Sequence, residues 1–138
     1  MKRENEDYTE TVRKLFEKDI FAVETTGAKV EKAGPGYSLC SLRVDRRHLN
    51  IRGTVMGGVI FTLADFAFGA AANNEKSGSV SLSSNINFLR AAAGPVLYAE
   101  AKCVKNGKNI SFYDISITDG EGRIIATASM NGFVKPIS

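Results

Sequence analysis

The sequence has one histidine, two cysteines and no long apolar run, and each scarcity excludes a class of protein. Because His48 is the single histidine among 138 residues, a histidine-rich zinc site or a Ser–His–Asp triad would depend on that residue alone. The two cysteines, Cys40 and Cys103, lack the spacing of metal ligands, and buried free thiols are favoured over a disulfide. We therefore expect no metal site.

No apolar stretch reaches the roughly 18 residues that a membrane-spanning helix needs. The best candidate, residues 59–72, is too short and contains Asp65. The N-terminus is polar and charged and lacks the apolar core of a secretory signal. We expect a cytoplasmic protein that has no membrane partner.

The charge and composition indicate an ordinary globular protein. The net charge of +3, from 18 basic and 15 acidic residues, is too small to indicate nucleic-acid binding, although it suits a small anionic ligand. Hydrophobic residues make up 43% of the chain, which is close to the globular norm. We expect a single domain over residues 1–138, beginning with a helical segment at residues 1–19.

Hydrophobic periodicity predicts a helix, two strands, a long apolar helix and four more strands. The spacing of apolar residues predicts a short amphipathic helix over residues 7–18. Residues 57–74 are rich in alanine and apolar on nearly all sides, which is typical of a buried helix. Strands are predicted over residues 26–33, 37–44, 80–88, 96–105, 109–118 and 123–134. The predicted fold class is α+β, with a long antiparallel sheet that wraps one central helix.

The strand at residues 80–88 indicates a homo-oligomer. Val80, Leu82, Ile86 and Phe88 alternate with serines and asparagines, which predicts one buried face and one polar face. Such a polar face is difficult to place in a monomer. A strand edge that pairs with a second copy of the chain would explain it.

Asp65 is the first candidate for chemistry, because it lies in the middle of the most apolar segment. Burying an unpaired carboxylate is costly, so such a group usually finds partners or shifts its pKa. Two interpretations follow from the sequence. Asp65 is either a nucleophile or general base that faces a pocket, or a structural carboxylate bonded to backbone groups across an interface.

The residues around the start of the apolar helix are further candidates. The N–H groups of Gly57 and Gly58 lie at the positive end of the helix dipole and would stabilise an oxyanion, or the pair merely permits a tight turn. Asn50 would hold a water or a carbonyl oxygen, or form a turn. Ser81 and Ser83, on one face of an alternating strand, would orient a water or belong to an ordinary polar face.

The remaining candidates have a plain structural explanation as well. His48 would serve as a base, but its loop position beside Asp45 favours a surface histidine. The basic residues Arg90, Lys105 and Lys108 would meet phosphates, although scattered charges are usually a solvated surface. Phe61 would line an apolar pocket or simply pack in the core.

Residues 48–65, with the sequence HLNIRGTVMGGVIFTLAD, resemble the signature of hotdog-fold acyl-CoA thioesterases. The branch that they resemble most is that of the phenylacetate-pathway (PaaI-type) thioesterases. The family pattern is a loop asparagine, a glycine, a His-Gly-Gly helix start and a Leu-Ala-Asp further along the helix. The resemblance covers about residues 20–135.

This resemblance implies a hotdog fold, in which a curved antiparallel sheet wraps the long helix of each subunit. It implies active sites at a dimer interface, with Asn50 and the Gly57 N–H from one subunit and Asp65 from the other. Ser81 matches a strand position that holds the water or the carboxylate in some relatives, with Ser83 as the alternative. The implied reaction hydrolyses an acyl- or aryl-CoA to the free acid and CoA. CoA is then part of the substrate, no cofactor is implied, and the assembly is a dimer or a homotetramer.

Met56 departs from the family pattern, because a histidine usually precedes the Gly-Gly pair. Methionine donates no hydrogen bond, so it would instead form a flexible wall of the substrate site beside Gly58 and Phe61. The departure favours one alternative, a non-catalytic acyl-CoA binding or sensing protein. A hotdog dehydratase or hydratase is a third interpretation, but it requires a catalytic histidine, which is absent from the helix.

Overall fold

The computed structural model describes residues 2–74 and 77–136. The helices are α1 (Lys2–Phe16) and α2 (Gly57–Ala72). The strands are β1 (Ala28–Gly34), β2 (Tyr37–Arg43), β3 (Ser77–Phe88), β4 (Val96–Asn106), β5 (Ile110–Thr118) and β6 (Ile124–Pro136). The predicted order of elements is confirmed, although α1 begins at Lys2 rather than at residue 7. Two short elements were not predicted, a π-helical turn (Phe21–Thr26) before β1 and a 3-10 helix (Arg46–His48) after β2.

The six strands form one sheet in the order β1-β2-β4-β5-β6-β3, and each neighbouring pair is antiparallel. Helix α2 packs against one face of this sheet, and its alanines, leucine and inner phenylalanines are buried. The sheet curves around the helix, so the predicted α+β hotdog architecture is confirmed. Strand β3 lies at one edge of the sheet and β1 at the other.

Small residues allow α2 to lie close to the sheet. The Ser38 hydroxyl of β2 donates a hydrogen bond to the Ala67 carbonyl oxygen at 2.6 Å. Gly132 of β6 faces the Phe68 ring, and a Cβ atom at Gly132 would lie 2.8 Å from Phe68 Cζ. The Phe68 ring in turn meets Tyr113 edge-on, with the ring centroids 5.3 Å apart. These contacts fix the rotation of α2 about its axis and therefore determine which of its residues face outward.

Helix α1 covers one flank of α2 and is fastened to the edge strand β1. The Thr9 hydroxyl exchanges hydrogen bonds with the backbone of Ala33, and Arg13 Nε donates to the Val30 carbonyl at 3.0 Å. The Phe16 ring meets Phe66 of α2 edge-on at 5.5 Å. The chain then passes through the π-helical turn, which lies beside the outward face of α2.

The prediction of one buried face on strand β3 is wrong for the single chain. A β-bulge interrupts the pairing of β3 with β6, because Ser81 lies opposite Gly132 and Ser83 opposite Asn131, which leaves Leu82 unmatched. Val80 is 57% and Leu82 56% exposed. Residues two positions apart across the bulge therefore lie on opposite faces of the sheet, and the apolar residues of β3 do not share one face.

Two smaller expectations have clear outcomes. Cys40 is buried, Cys103 is half-buried, and both are free thiols, as predicted. Burial raises the pKa of the Cys40 thiol to about 12. In the described ranges, neither helix is long and apolar enough to cross a bilayer.

Candidate functional site

Asp65 lies on the outward face of α2 and is accessible to solvent, so the expectation of a carboxylate buried in the apolar segment is corrected. The buried residues of α2 form the other side of the helix, whereas Asp65 lies on its exposed side, beside the edge strand β3. Partial burial in a surface depression raises the pKa of its carboxyl group. The hydrogen bond from Ser81 opposes this rise in pKa, whereas the negative charge of Asp19 adds to it.

The bulge in β3 places Ser81 and Ser83 on opposite faces of the sheet. The Ser81 hydroxyl faces α2 and donates to Asp65 Oδ1 at 3.4 Å. The Ser83 hydroxyl lies on the outer face, where it donates to Asn131 Oδ1 at 2.5 Å. The expectation that both serines share one face is therefore wrong, and Ser81 is the serine beside Asp65.

The first turn of α2 presents two free backbone donors. Met56 is the N-cap residue, and its carbonyl accepts from Val59 N at 3.0 Å. The Gly57 and Gly58 N–H groups have no acceptor in the described part of the chain, as expected for the first residues of a helix. The Phe88 ring lies over Gly57, where a Cβ atom would come within 3.2 Å of Phe88 Cζ. Glycine at this position therefore allows the Phe88 ring to lie close to the first turn of α2.

Asn50 organises the loop that leads into α2. Its Oδ1 atom accepts hydrogen bonds from Arg52 N at 2.9 Å, from Thr54 N at 3.2 Å and from the Thr54 hydroxyl at 3.2 Å. These bonds show that Asn50 is a turn residue, and they also fix the orientation of its side chain. The amide NH2 group of Asn50 has no acceptor within residues 2–74 and 77–136, so it is available to a ligand.

His48 is buried, with 2% of its surface exposed, so the expectation of a surface histidine is wrong. Its Nδ1 atom accepts from Asp45 N at 2.9 Å, which leaves Nε2 to donate to the Thr26 carbonyl at 2.7 Å. Both ring nitrogens are thus engaged with the backbone. The histidine joins the 3-10 helix to the π-helical turn and has no free nitrogen for acid–base chemistry.

The basic candidates lie at opposite ends of the molecule. Arg90 lies two residues beyond the end of β3, and its backbone N–H donates to Ile125 O at 3.3 Å, close to the strand end where Phe88 covers Gly57. Lys105 and Lys108 belong to the β4–β5 hairpin, which lies by the C-terminal end of α2. All three side chains are exposed. Of these three predicted residues, Arg90 is the one near the first turn of α2 within one chain.

A cleft of about 240 Å³ opens beside Asp65. The other residues that line it are Asp19, Phe21, Ala22, Phe61, Thr62 and Phe66. The predicted substrate residue Phe61 is therefore next to Asp65, whereas Asp19 and Phe21 were not predicted. The sequence does contain a signal for Phe21, because Ile20 and Phe21 are two adjacent apolar residues just after an amphipathic helix. Larger depressions of about 700 and 740 Å³ lie elsewhere, over the outer sheet face and beside α1.

The chemistry of the site rests on carboxylate and amide groups. No cluster of three or more His, Cys, Asp or Glu side chains within the described ranges could hold a metal ion. The Asp65 carboxylate accepts a hydrogen bond from the Ser81 hydroxyl. The start of α2 adds two free backbone N–H groups, and the loop before it adds the oriented Asn50 amide. Together, these groups can polarise a carbonyl and supply a nucleophile or a base.

A family model described as the thioesterase superfamily matches residues 52–126, which include Gly57, Asp65 and Ser81. A putative esterase of Archaeoglobus fulgidus is 31% identical over 120 residues, which cover 86% of this chain and 78% of that protein. The acyl-coenzyme A thioesterase PaaI of Escherichia coli is 31% identical over 113 residues, covering 81% of this chain and 80% of its own length.

A solved structure gives the same result. The hypothetical thioesterase of Streptococcus pneumoniae TIGR4, determined with coenzyme A, has a TM-score of 0.80 and 29% identity, and the match covers 88% of this chain and 97% of that one. The resemblance carried by residues 48–65 is thereby confirmed. The chain belongs to the thioesterase superfamily and is a thioester hydrolase.

Proposed function

We propose that the protein hydrolyses acyl-CoA thioesters to the free acid and CoA, at a site built from two copies of the chain. Gly57 and Asn50 of one copy polarise the thioester carbonyl, and Asp65 of the other copy supplies the attacking group. The observation that carries the proposal is the outward-facing Asp65 carboxylate with its Ser81 partner. The acyl-CoA substrate is supported by the relative named PaaI and by the Streptococcus pneumoniae thioesterase determined with coenzyme A.

The length of α2 is the argument for two copies. Eight residues separate Gly57 from Asp65, and at about 1.5 Å per residue the two lie about 12 Å apart along the helix axis. An oxyanion donor lies about 3 Å from the carbonyl oxygen, and a nucleophile about 3–3.5 Å from the carbonyl carbon. One carbonyl therefore cannot reach both residues of the same chain.

The edge strand β3 supports a second copy at this place. Val80 and Leu82 are exposed apolar side chains on an unpaired strand edge, which is a surface that a partner usually covers. Ser81 of the same strand reaches Asp65, so pairing at this edge brings the Asp65 of each copy close to the interface. A homodimer formed through β3, alone or within a homotetramer, would cover this apolar edge. It would also allow Asp65 of one copy to act with Gly57 of the other.

The Gly57 N–H group supplies the polarisation in this mechanism. It lies at the positive end of α2, without an acceptor among the described residues, and negative charge on a carbonyl oxygen would be stabilised there. The Asn50 amide, held by its three accepted hydrogen bonds, is a second donor from the same subunit. Because the Met56 side chain has no hydrogen-bond donor, these two groups act without help from a side chain at position 56.

Asp65 acts in one of two ways. As a nucleophile, its carboxylate bonds to the thioester carbon, CoA leaves as the thiolate, and water then hydrolyses the mixed anhydride. As a general base, it takes a proton from a water molecule, whose hydroxide attacks the carbon, and the C–S bond then breaks to release CoA as the thiolate and the acid. The Ser81 hydroxyl orients the carboxylate in both cases. Arg90, near the first turn of α2, is the basic residue best placed for the CoA phosphates, whereas Lys105 and Lys108 are distant from it within one chain.

Release of free CoA thiol by wild type and by Asp65→Asn tests the proposal. We expect the variant to lose at least a hundredfold in kcat/KM while keeping the wild-type melting temperature. Asp114→Asn, which neutralises an exposed carboxylate of β5, is the matched control and should retain wild-type activity. Equal rates for wild type and Asp65→Asn would contradict the proposal.

The second candidate function is a non-catalytic acyl-CoA binding or sensing protein. The observation that favours it is Met56 at the position where the family has histidine. It predicts acyl-CoA binding without release of thiol by the wild-type protein. The same assay, combined with calorimetric titration of the acyl-CoA, separates the two candidates.

A further inference from the structure

We propose that the cleft between the π-helical turn and the outward face of α2 receives the acyl group, and that Phe21 limits its length. The acyl groups that fit are uncharged aryl groups and medium-length chains of about eight carbons. This inference rests on the proposed function and identifies the class of substrate that the same site accepts.

The position of the cleft relative to Asp65 carries the argument. In thioester hydrolysis the acyl chain begins at the carbon that is attacked, so its first atoms lie within a few ångströms of the attacking group. Asp65 is itself part of the wall of this cleft. The two larger depressions of the chain do not include Asp65. The acyl chain therefore enters the cleft as soon as the carbonyl reaches Asp65.

Four of the seven residues that line the cleft have apolar side chains, and the other three are Asp19, Thr62 and Asp65. Ala22 and Phe66 form the floor and are buried, and Phe16 braces the Phe66 ring edge-on at 5.5 Å. Phe61 is half-buried and forms a side wall. Phe21 forms the rim and is 63% exposed, so its side chain is free to contact a ligand. The rim is thus the adjustable part of the cleft, because Ala22 and Phe66 are fixed by burial.

The size of the cleft sets the length of the acyl group. Its volume is about 240 Å³, and at about 30 Å³ for each water-sized group this space holds about eight such groups. A phenylacetyl or an octanoyl group has this size. Longer chains would have to displace Phe21 or extend past it into water.

The charges around the cleft determine the polarity of the acyl group. Asp19 and Asp65 are both in its wall, and none of the described residues that line it is basic. The Thr62 hydroxyl is occupied, because it donates to the Gly58 carbonyl at 2.8 Å. A chain that ends in a carboxylate would enter a cleft with two like charges and without a cationic partner, which is costly. The cleft therefore selects uncharged acyl groups.

The test compares kcat/KM for acetyl-, hexanoyl-, octanoyl-, phenylacetyl-, lauroyl- and palmitoyl-CoA. We expect wild type to prefer the octanoyl and phenylacetyl substrates. Phe21→Ala should move the optimum to lauroyl-CoA or beyond, and Phe21→Trp should disfavour octanoyl-CoA at least tenfold relative to acetyl-CoA. Ile20→Ala, an exposed neighbour that does not line the cleft, is the control and should keep the wild-type preference.

A second comparison tests the charge argument. Suberoyl-CoA has the chain length of octanoyl-CoA but ends in a carboxylate. We expect at least a tenfold lower kcat/KM for suberoyl-CoA, and a smaller ratio in Asp19→Asn. Equal values of kcat/KM for the two substrates in wild type would overturn this part of the inference.

Binding measurements separate a failure of this inference from a failure of the proposed function. Calorimetric titration of octanoyl-CoA into Phe21→Trp and wild type needs no turnover. If wild type releases no thiol but Phe21→Trp binds octanoyl-CoA at least tenfold more weakly, the cleft assignment stands and the hydrolytic function fails. If wild type is active but neither Phe21 variant changes chain-length preference or affinity, the cleft assignment is overturned and the hydrolytic function stands.

Discussion

The pKa of the Asp65 carboxyl group depends on its burial and on two neighbouring side chains. Partial burial raises its pKa, the Ser81 hydrogen bond opposes the rise, and Asp19 adds to it. Because Asp65 must be ionised to attack or to accept a proton, kcat/KM should fall as the pH decreases through this raised pKa. We predict an acidic limb in the pH profile above the ordinary range of an aspartate.

Two variants test the cause of this acidic limb. Ser81→Ala removes a bond that favours the ionised form, so the limb should move to higher pH. Asp19→Asn removes a like charge, so the limb should move to lower pH. An acidic limb that stays at the same pH in both variants would show that another group titrates.

At the residue scale, the sequence could identify the candidates but not their surroundings. Asp65 and Gly57 were predictable, because a carboxylate and a glycine pair are unusual in an apolar helix. The burial of His48 was not, since it depends on the Thr26 carbonyl, a partner that is distant along the chain. Phe21 was missed for the same reason, because its role depends on the neighbouring face of α2.

Among the elements, strand β3 shows where periodicity alone fails. Its alternating pattern predicts one apolar face, yet the bulge at Leu82 reverses the phase and separates Ser81 from Ser83. A bulge adds one residue without a distinctive composition, so the sequence pattern does not reveal it. The helices and strands themselves were predictable, because their hydrophobic periods extend over many residues.

The contact between β6 and α2 gives a stability prediction. A Cβ atom at Gly132 would lie 2.8 Å from Phe68 Cζ and 3.0 Å from Ser79 Cβ. We expect Gly132→Ala to lower the free energy of unfolding by about 1–3 kcal/mol, because overpacking forces neighbouring groups apart. Gly34→Ala is the control, since nothing lies within 4 Å of a Cβ atom there. Urea denaturation measures both, and equal stabilities of the two variants would contradict the packing argument.

The turn between β5 and β6 depends on the buried Asp119. Its carboxylate accepts hydrogen bonds from Ala93 N, Glu121 N and Arg123 N at 3.0 to 3.1 Å, and also from the Arg123 guanidinium. Burial alone would raise the pKa of Asp119, but these bonds outweigh burial and lower the pKa from 3.8 to about 2.

This lowered pKa predicts how stability depends on pH. The stabilisation by Asp119 is complete above the unfolded-state pKa and is lost as the pH falls through the folded-state pKa, hence between about 4 and 2. Asp119→Asn should therefore reduce the urea midpoint at pH 7, with the difference from wild type narrowing below pH 4. Asp114→Asn on the exposed face of β5 should show no such change. A difference between Asp119→Asn and wild type that is independent of pH would contradict this explanation.

For the whole molecule, the proposed active site depends on assembly rather than on the single chain. Gly57 and Asp65 are too far apart along α2 to act on one carbonyl, and β3 leaves an unpaired apolar edge close to Asp65. The pattern of β3 in the sequence favours an oligomer, which stays a prediction. Residue spacing alone does not predict which residues would meet across the interface, because that depends on the shape of both copies.

Complementation between two inactive variants tests the shared site most directly. Asn50→Asp keeps the acceptor oxygen that organises the loop and removes the amide donor, whereas Asp65→Asn removes the carboxylate. Heterodimers of the two variants, co-expressed and purified through two different tags, contain one intact site and one doubly altered site. We predict that each heterodimer regains about half of the wild-type rate of thiol release from octanoyl-CoA. A heterodimer as inactive as both parent homodimers would contradict a site shared between two copies.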